Sequence, residues 1–155
     1  MTETVAPQPG CPLCQPSAED CLWQEPRLRI IHVHDEAGQP AYFRVIWQAH
    51  VSEMSDLSED DRQHLWQVLT VVERGVRDFL APVKVNLASL GNQVPHLHWH
   101  VIGRWHDDPQ FPGSVWSPAQ RPADSGPQQE NARRVAAALP AFRAWLADQL
   151  TARQR

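Results

Sequence analysis

Residues 96–102 read HLHWHVI, placing His96, His98 and His100 at alternate positions with apolar residues between and after them. Alternate residues of a strand point to the same face, about 7 Å apart. On a strand, the three imidazoles would share one face, and Leu97, Trp99 and Val101 would enter a core. Three chemistries suit such a row. One is a polar strand face that happens to use histidine. Another is a three-histidine metal site with an open position, although ligands about 2.0 Å from one ion are hard to draw from three alternate positions. The third is a histidine nucleophile attacking phosphorus, with a second imidazole steadying the phosphate oxygens.

The flanking residues supply partners. Asn86, Ser89, Gly91, Asn92 and Gln93 gather polar groups around a glycine turn just before the row, where amides can meet an anion. An ordinary hairpin turn favours the same residues. Near the start, Cys11 and Cys14 form a C-x-x-C pair, which reads as metal-binding or redox-active, and Cys21 completes an odd count of three. No secretory signal is visible in the first ten residues, so a disulfide scaffold is not expected, and the chain is expected in the cytoplasm.

These groups need elements to hold them. RLRIIHVH contains a strand around Leu28–Val33, DEAGQP a turn, and AYFRVIWQAH (41–50) a second strand. Ser58 with Asp61 resembles a capping box. The stripe Leu65, Leu69, Val72, Val76 and Phe79 then predicts a long amphipathic helix ending near Pro82. VKVNLASL (83–90) reads as a third strand and the histidine row as a fourth. Residues 103–127 form a long loop with five prolines and with Trp105, Phe111 and Trp116, which either cover a ligand or cap the sheet. Residues 128–152 read as a C-terminal helical extension, with Pro140 kinking it or starting a second helix. Two hairpins around a crossover helix make an α+β architecture with a mainly antiparallel sheet.

The 155 residues carry a net charge of −4, with no basic stripe and no apolar run of membrane-spanning length. A nucleic-acid polymer and a membrane are thus not expected partners. A single domain is expected, with residues 1–9 disordered.

NLASLGNQVPHLHWHVIGR resembles the signature region of the histidine triad (HIT) family, and AYFRVIWQAHVSEMSDLS resembles that family's strand and helix entry. The resemblance spans roughly residues 10–116. It implies a five-stranded sheet, a homodimer and a small-molecule nucleotide substrate. It also implies that His98 attacks the α-phosphorus of a nucleoside phosphoramidate or dinucleoside polyphosphate, forming a nucleotidyl-histidine. His100 would contact phosphate oxygens and assist the leaving group. Asn86 and Asp35 match, each with a one-residue offset, a substrate-contacting asparagine and the acid that holds the ribose. Asn92 and Gln93 stand where many members have Gln and then Ser or Thr, and Gly103 replaces a frequent Pro. The substitutions at 92 and 93 bear on leaving-group preference, and they motivate a second reading: a nucleotide-binding module with little turnover. In several branches of the family a structural zinc is bound by positions matching Cys11, Cys14, His50 and His96. The alternative at that site is a pair of reduced thiols. His32, His34, His64 and His106 match no family role and suit surface or packing positions.

Overall fold

The computed structural model describes residues 5–15 and 17–155. The expectation for residues 1–9 falls partly outside them; residues 5–9 contain no helix or strand. Five strands, β1 (Asp20–Gln24), β2 (Leu28–His32), β3 (Tyr42–Trp47), β4 (Lys84–Ala88) and β5 (His98–Arg104), form one antiparallel sheet in the order β1-β2-β3-β5-β4. Helix α1 (Glu59–Gly75) crosses between β3 and β4, and α2 (Gly126–Arg153) follows the sheet. The architecture is α+β and HIT-like.

Strand alternation divides the sheet into two faces. Leu28, Ile30, Phe43, Val45, Val85 and Val101 face the helices and pack with Leu65, Val68, Leu69 and Val72 of α1 and Val135, Phe142, Leu146 and Leu150 of α2. On the opposite face a smaller cluster joins Ile31, Val33, Tyr42, Ile46 and Ile102 to Val115, with Leu13 against it. That face is therefore covered by the cysteine knuckle and by the long loop, and it carries His98 and His100.

Ser58 caps α1 by accepting the Asp61 N–H at 3.1 Å. After Gly75 the helix widens into a π turn over Val76–Leu80, which ends at Ala81 with a φ of 50°. Several boundaries differ from the sequence reading. The residues alone suggest four strands, because β1 is an edge strand that bears a bulge between Cys21 and Trp23 and so loses its alternation. Arg143 of α2 covers that edge, donating to the Cys21 carbonyl at 3.2 Å and to Asp20 at 2.8 Å. The loop begins at Trp105, since Gly103 and Arg104 still belong to β5. The Gly103 N–H, which a proline would lack, donates to the Ala41 carbonyl at 2.8 Å. Helix α2 starts two residues earlier than expected because Ser125 and Gln128 cap it reciprocally, with Pro127 in the first turn. It runs unbroken through Pro140.

The loop is tied down by a buried ion pair. Arg104, 2 % exposed, donates to Asp108 at 2.7 and 2.9 Å, to the Gly113 carbonyl at 2.8 Å and to Asn86 Oδ1 at 2.9 Å. Gln128 anchors the far end through the Asp107 and Pro122 carbonyls. Burial raises the Asp108 pKa, but the Arg104 hydrogen bonds and charge outweigh it and hold the carboxyl below its usual range. The pair thus contributes stability that is present above the unfolded carboxyl pKa and lost as pH falls through the folded one. Asp108→Asn leaves a buried guanidinium without its counter-charge. It should cost about 3–5 kcal/mol, read from the urea midpoint at neutral pH.

Candidate functional site

β5 begins at His98, so His98 and His100 follow the strand alternation, while His96, just before the strand, meets the cysteine knuckle that covers the same face. All three are shielded, at 1 %, 9 % and 5 % exposed for His96, His98 and His100, so this is not a solvated polar face.

His96 Nε2–H donates to the Trp47 carbonyl at 2.6 Å, which leaves Nδ1 as the free nitrogen. Nδ1 lies 3.5 Å from Cys11 Sγ, 3.4 Å from Cys14 Sγ and 3.2 Å from His50 Nδ1, and Cys14 Sγ is 3.3 Å from His50 Nδ1. Tetrahedral zinc with bonds of about 2.3 Å to sulfur and 2.0–2.1 Å to nitrogen separates its donors by roughly 3.3–3.8 Å. The four side chains from three distant segments thus fit a closed Cys₂His₂ site, and the carbonyl on the far side of His96 is the kind of support such ligands have. Burial, with Cys11 alongside, pushes the Cys14 thiol up, a tendency that a bound cation reverses. Arg29 holds the knuckle against the sheet by donating to the Leu13 carbonyl at 3.0 Å.

His98 is held by its neighbour's backbone. Its Nδ1–H donates to the His96 carbonyl at 2.6 Å, so the lone pair sits on Nε2. Among the described residues Nε2 has no hydrogen-bond partner. Burial pushes the His98 pKa below 6.5, and Arg44 lowers it further. His100 is pushed down to about 4, by burial first and then by His98 and Arg44. Both rings are uncharged at pH 7. They meet at 5.0 Å between centroids, and the Tyr42 hydroxyl pairs with His100 Nδ1 at 2.9 Å. Trp116 packs edge-on to His100 at 4.9 Å while remaining half-exposed. Trp105 is instead buried in the core, and Phe111 packs on His106.

The remaining sequence-predicted residues lie further out. Asn86 is on the same sheet face, opposite Ile102, with its side-chain oxygen engaged by Arg104. Asp35, Asn92 and Gln93 are exposed in turns, and none is hydrogen-bonded to either ring. Ser89 donates to the His98 carbonyl at 3.0 Å and so braces the strand itself. His32 stacks on Phe43, His34 bonds to Asp20 at 2.7 Å, and His64 bonds to the buried Glu25. Hollows of about 380 and 450 Å³ lie elsewhere, and neither is lined by His98 or His100. Tyr42 and Arg44 went unnoticed in the sequence. The available signal was Arg44, the single charged residue within AYFRVIW.

The HIT domain model matches residues 15–107. The chain belongs to the HIT domain family. Among solved structures it is similar to a histidine triad protein of Bradyrhizobium japonicum, at 25 % identity over 77 % of this chain and 90 % of that one, with a TM-score of 0.59. A histidine triad protein of Sinorhizobium meliloti matches at 26 % identity over the same shares, with a TM-score of 0.58. A zinc-bound histidine triad family protein of Mycobacterium smegmatis shares the fold at 18 % identity, covering 88 % and 89 %, with a TM-score of 0.57. No curated protein is matched. Within this HIT chain, the electrostatics of the paired rings are directly measurable. Labelled-histidine NMR should find His100 neutral down to about pH 4. Because the unfolded chain takes up that proton near pH 6.5, stability should fall as pH drops across this interval.

Proposed function

We propose that this HIT protein is a nucleotide phosphohydrolase or nucleotidyl transferase in which His98 attacks the α-phosphate of a nucleoside phosphoramidate or dinucleoside polyphosphate. The observation that carries this reading is the Nδ1–H bond from His98 to the His96 carbonyl, which leaves the ring's lone pair on Nε2. An imidazole nitrogen in that state is a nucleophile at neutral pH. Nε2 forms the bond to phosphorus as the bond to the leaving group breaks, and the electron pair departs with that group. The positive charge then carried by the His98 ring is stabilised by the short bond from Nδ1–H to the carbonyl. With Tyr42 as donor to Nδ1, His100 keeps its proton on Nε2 and can donate a hydrogen bond from it to a phosphate oxygen or to the leaving group. Water, or an acceptor phosphate, then displaces the nucleotide from His98.

Cys11, Cys14, His50 and His96 would hold a structural zinc in this reading. A closed Cys₂His₂ zinc supplies folding energy and no open coordination position. The residues themselves fasten the knuckle to the segment carrying the His96 carbonyl. Reduced thiols at Cys11 and Cys14 suit a cytoplasmic location. A homodimer through the outer edge of β4 is supported by the exposed Leu87, Leu90 and Val83 there and by the exposed Trp66 on α1. The hollow lined by Trp66 and Leu87 lies along the same edge. Asp35, Asn86, Asn92 and Gln93 remain the proposed substrate contacts outside the two rings.

Intact-mass spectrometry after a brief pulse of adenosine phosphoramidate or diadenosine polyphosphate should show a nucleotide-sized adduct. His98→Ala should lose it, with turnover down at least about a thousandfold. Full turnover in that variant removes the reading, and AMP binding with neither adduct nor product leaves a binding module. Metal analysis should find about one zinc per chain by the ligand count, lost in Cys14→Ser and kept in His98→Ala. Loss of zinc from His98→Ala would instead argue for a metal at the triad.

A further inference from the structure

Three arginines rise from the sheet face that carries His98 and His100. Arg29 is neutralised by Glu19 at 2.8 and 3.0 Å, and Arg104 by Asp108 at 2.7 and 2.9 Å. The third, Arg44, sits directly across from His100 in the β3–β5 register. Among the described residues it forms no ion pair with a carboxylate. Its guanidinium carbon lies 5.6 Å from the centroid of the Tyr42 ring, whose hydroxyl bonds to His100. Its Nε is buried with no hydrogen-bond partner. Lys84, another cation on this face, is exposed at the far end of β4 opposite Arg104.

We propose that Arg44 binds the anionic phosphoryl group of the substrate, taking its oxygens on the planar guanidinium while His98 attacks, and thereby makes the site selective for a charged phosphate over a neutral nucleoside. The proposal rests on the preceding assignment of His98 as the phosphorus nucleophile. Its argument is a charge balance. A nucleotide brings at least one negative charge, and charge accumulates on the phosphoryl oxygens during transfer. His98 is the attacking group and His100 is neutral at pH 7, so the ring beside the attack supplies no counter-charge. Arg44 stands beside His100 with its charge uncompensated, and a guanidinium presents donors in a fork that matches paired phosphate oxygens. A purely structural role, stacking on Tyr42, explains neither the missing carboxylate nor the unpaired Nε.

The test compares AMP with adenosine on the full chain by calorimetry, for the wild type, Arg44→Gln and Arg44→Lys. Arg44→Gln should weaken AMP binding about ten- to a hundredfold, the span of one charge-assisted contact, and leave adenosine binding within about twofold. Arg44→Lys, which keeps the charge and reports on folding, should retain most of the preference for AMP. Histidine NMR should show His100 protonating at higher pH in Arg44→Gln, because a neighbouring positive charge has gone. A wild type that binds AMP no better than adenosine overturns the proposal. So does an unchanged AMP-to-adenosine ratio in Arg44→Gln. The outcomes separate from those of the preceding section. Arg44-dependent AMP binding without any adduct on His98 sinks the nucleophile and spares Arg44; an adduct forming at wild-type rate in Arg44→Gln does the reverse.

Discussion

One residue joins the two halves of this site. The ring of His96 donates to the Trp47 carbonyl and turns Nδ1 to Cys11, Cys14 and His50, while its own peptide carbonyl accepts the His98 Nδ1–H. The tautomer and orientation of His98 therefore depend on where the backbone at 96 is held. That backbone is pinned from β3 through Trp47 and from the N-terminal knuckle through the two cysteines. Disturbing the knuckle would shift the carbonyl that accepts from His98, and the cost would appear in the protonation pattern of that ring.

Burial is what makes the paired imidazoles useful. Removed from water, both stay neutral, which preserves a lone pair on His98 but leaves the pocket without positive charge from its own histidines. The two other arginines of that face are absorbed by Glu19 and Asp108 in holding the knuckle and the loop. Shielding, a free lone pair and charge are thus divided among different side chains. The loop and the knuckle shield, His98 keeps its electrons, and Arg44 keeps its charge.

The helix side of the sheet bears on this arrangement through stability. Phe142, Leu146 and Leu150 of α2 and the apolar stripe of α1 bury Phe43 and Val45 of β3 and Val101 of β5, so these strands have a fixed register. Register decides which residues face the site: a slip of one would bury His98 and His100 among the helices and expose Val101. The covering of the β1 edge by Arg143 serves the same end, closing a strand that is too irregular to protect itself.

Much of the architecture was legible from periodicity. The α1 stripe, the cap at Ser58, the apolar side of HLHWHVI and the strands on either side of DEAGQP follow from side chains repeating every two or every three to four residues, a property local to the chain. The C-x-x-C pair and the histidine row likewise announced chemistry, and the resemblance they carried led to the right family. Local pattern could not reveal β1, whose bulge breaks alternation, nor the end of β5, where a glycine looks like a turn until its N–H is seen bonded to Ala41. Tyr42 and Arg44 became site residues only when β3 paired with β5, since which residue stands opposite His100 is a matter of register between segments more than fifty positions apart. The sequence by itself determined which side chains were available and which faces had to be buried. The tertiary structure alone decided which of them meet, because contacts between distant strands are set by global packing and hydrogen-bond pairing, which no local window contains.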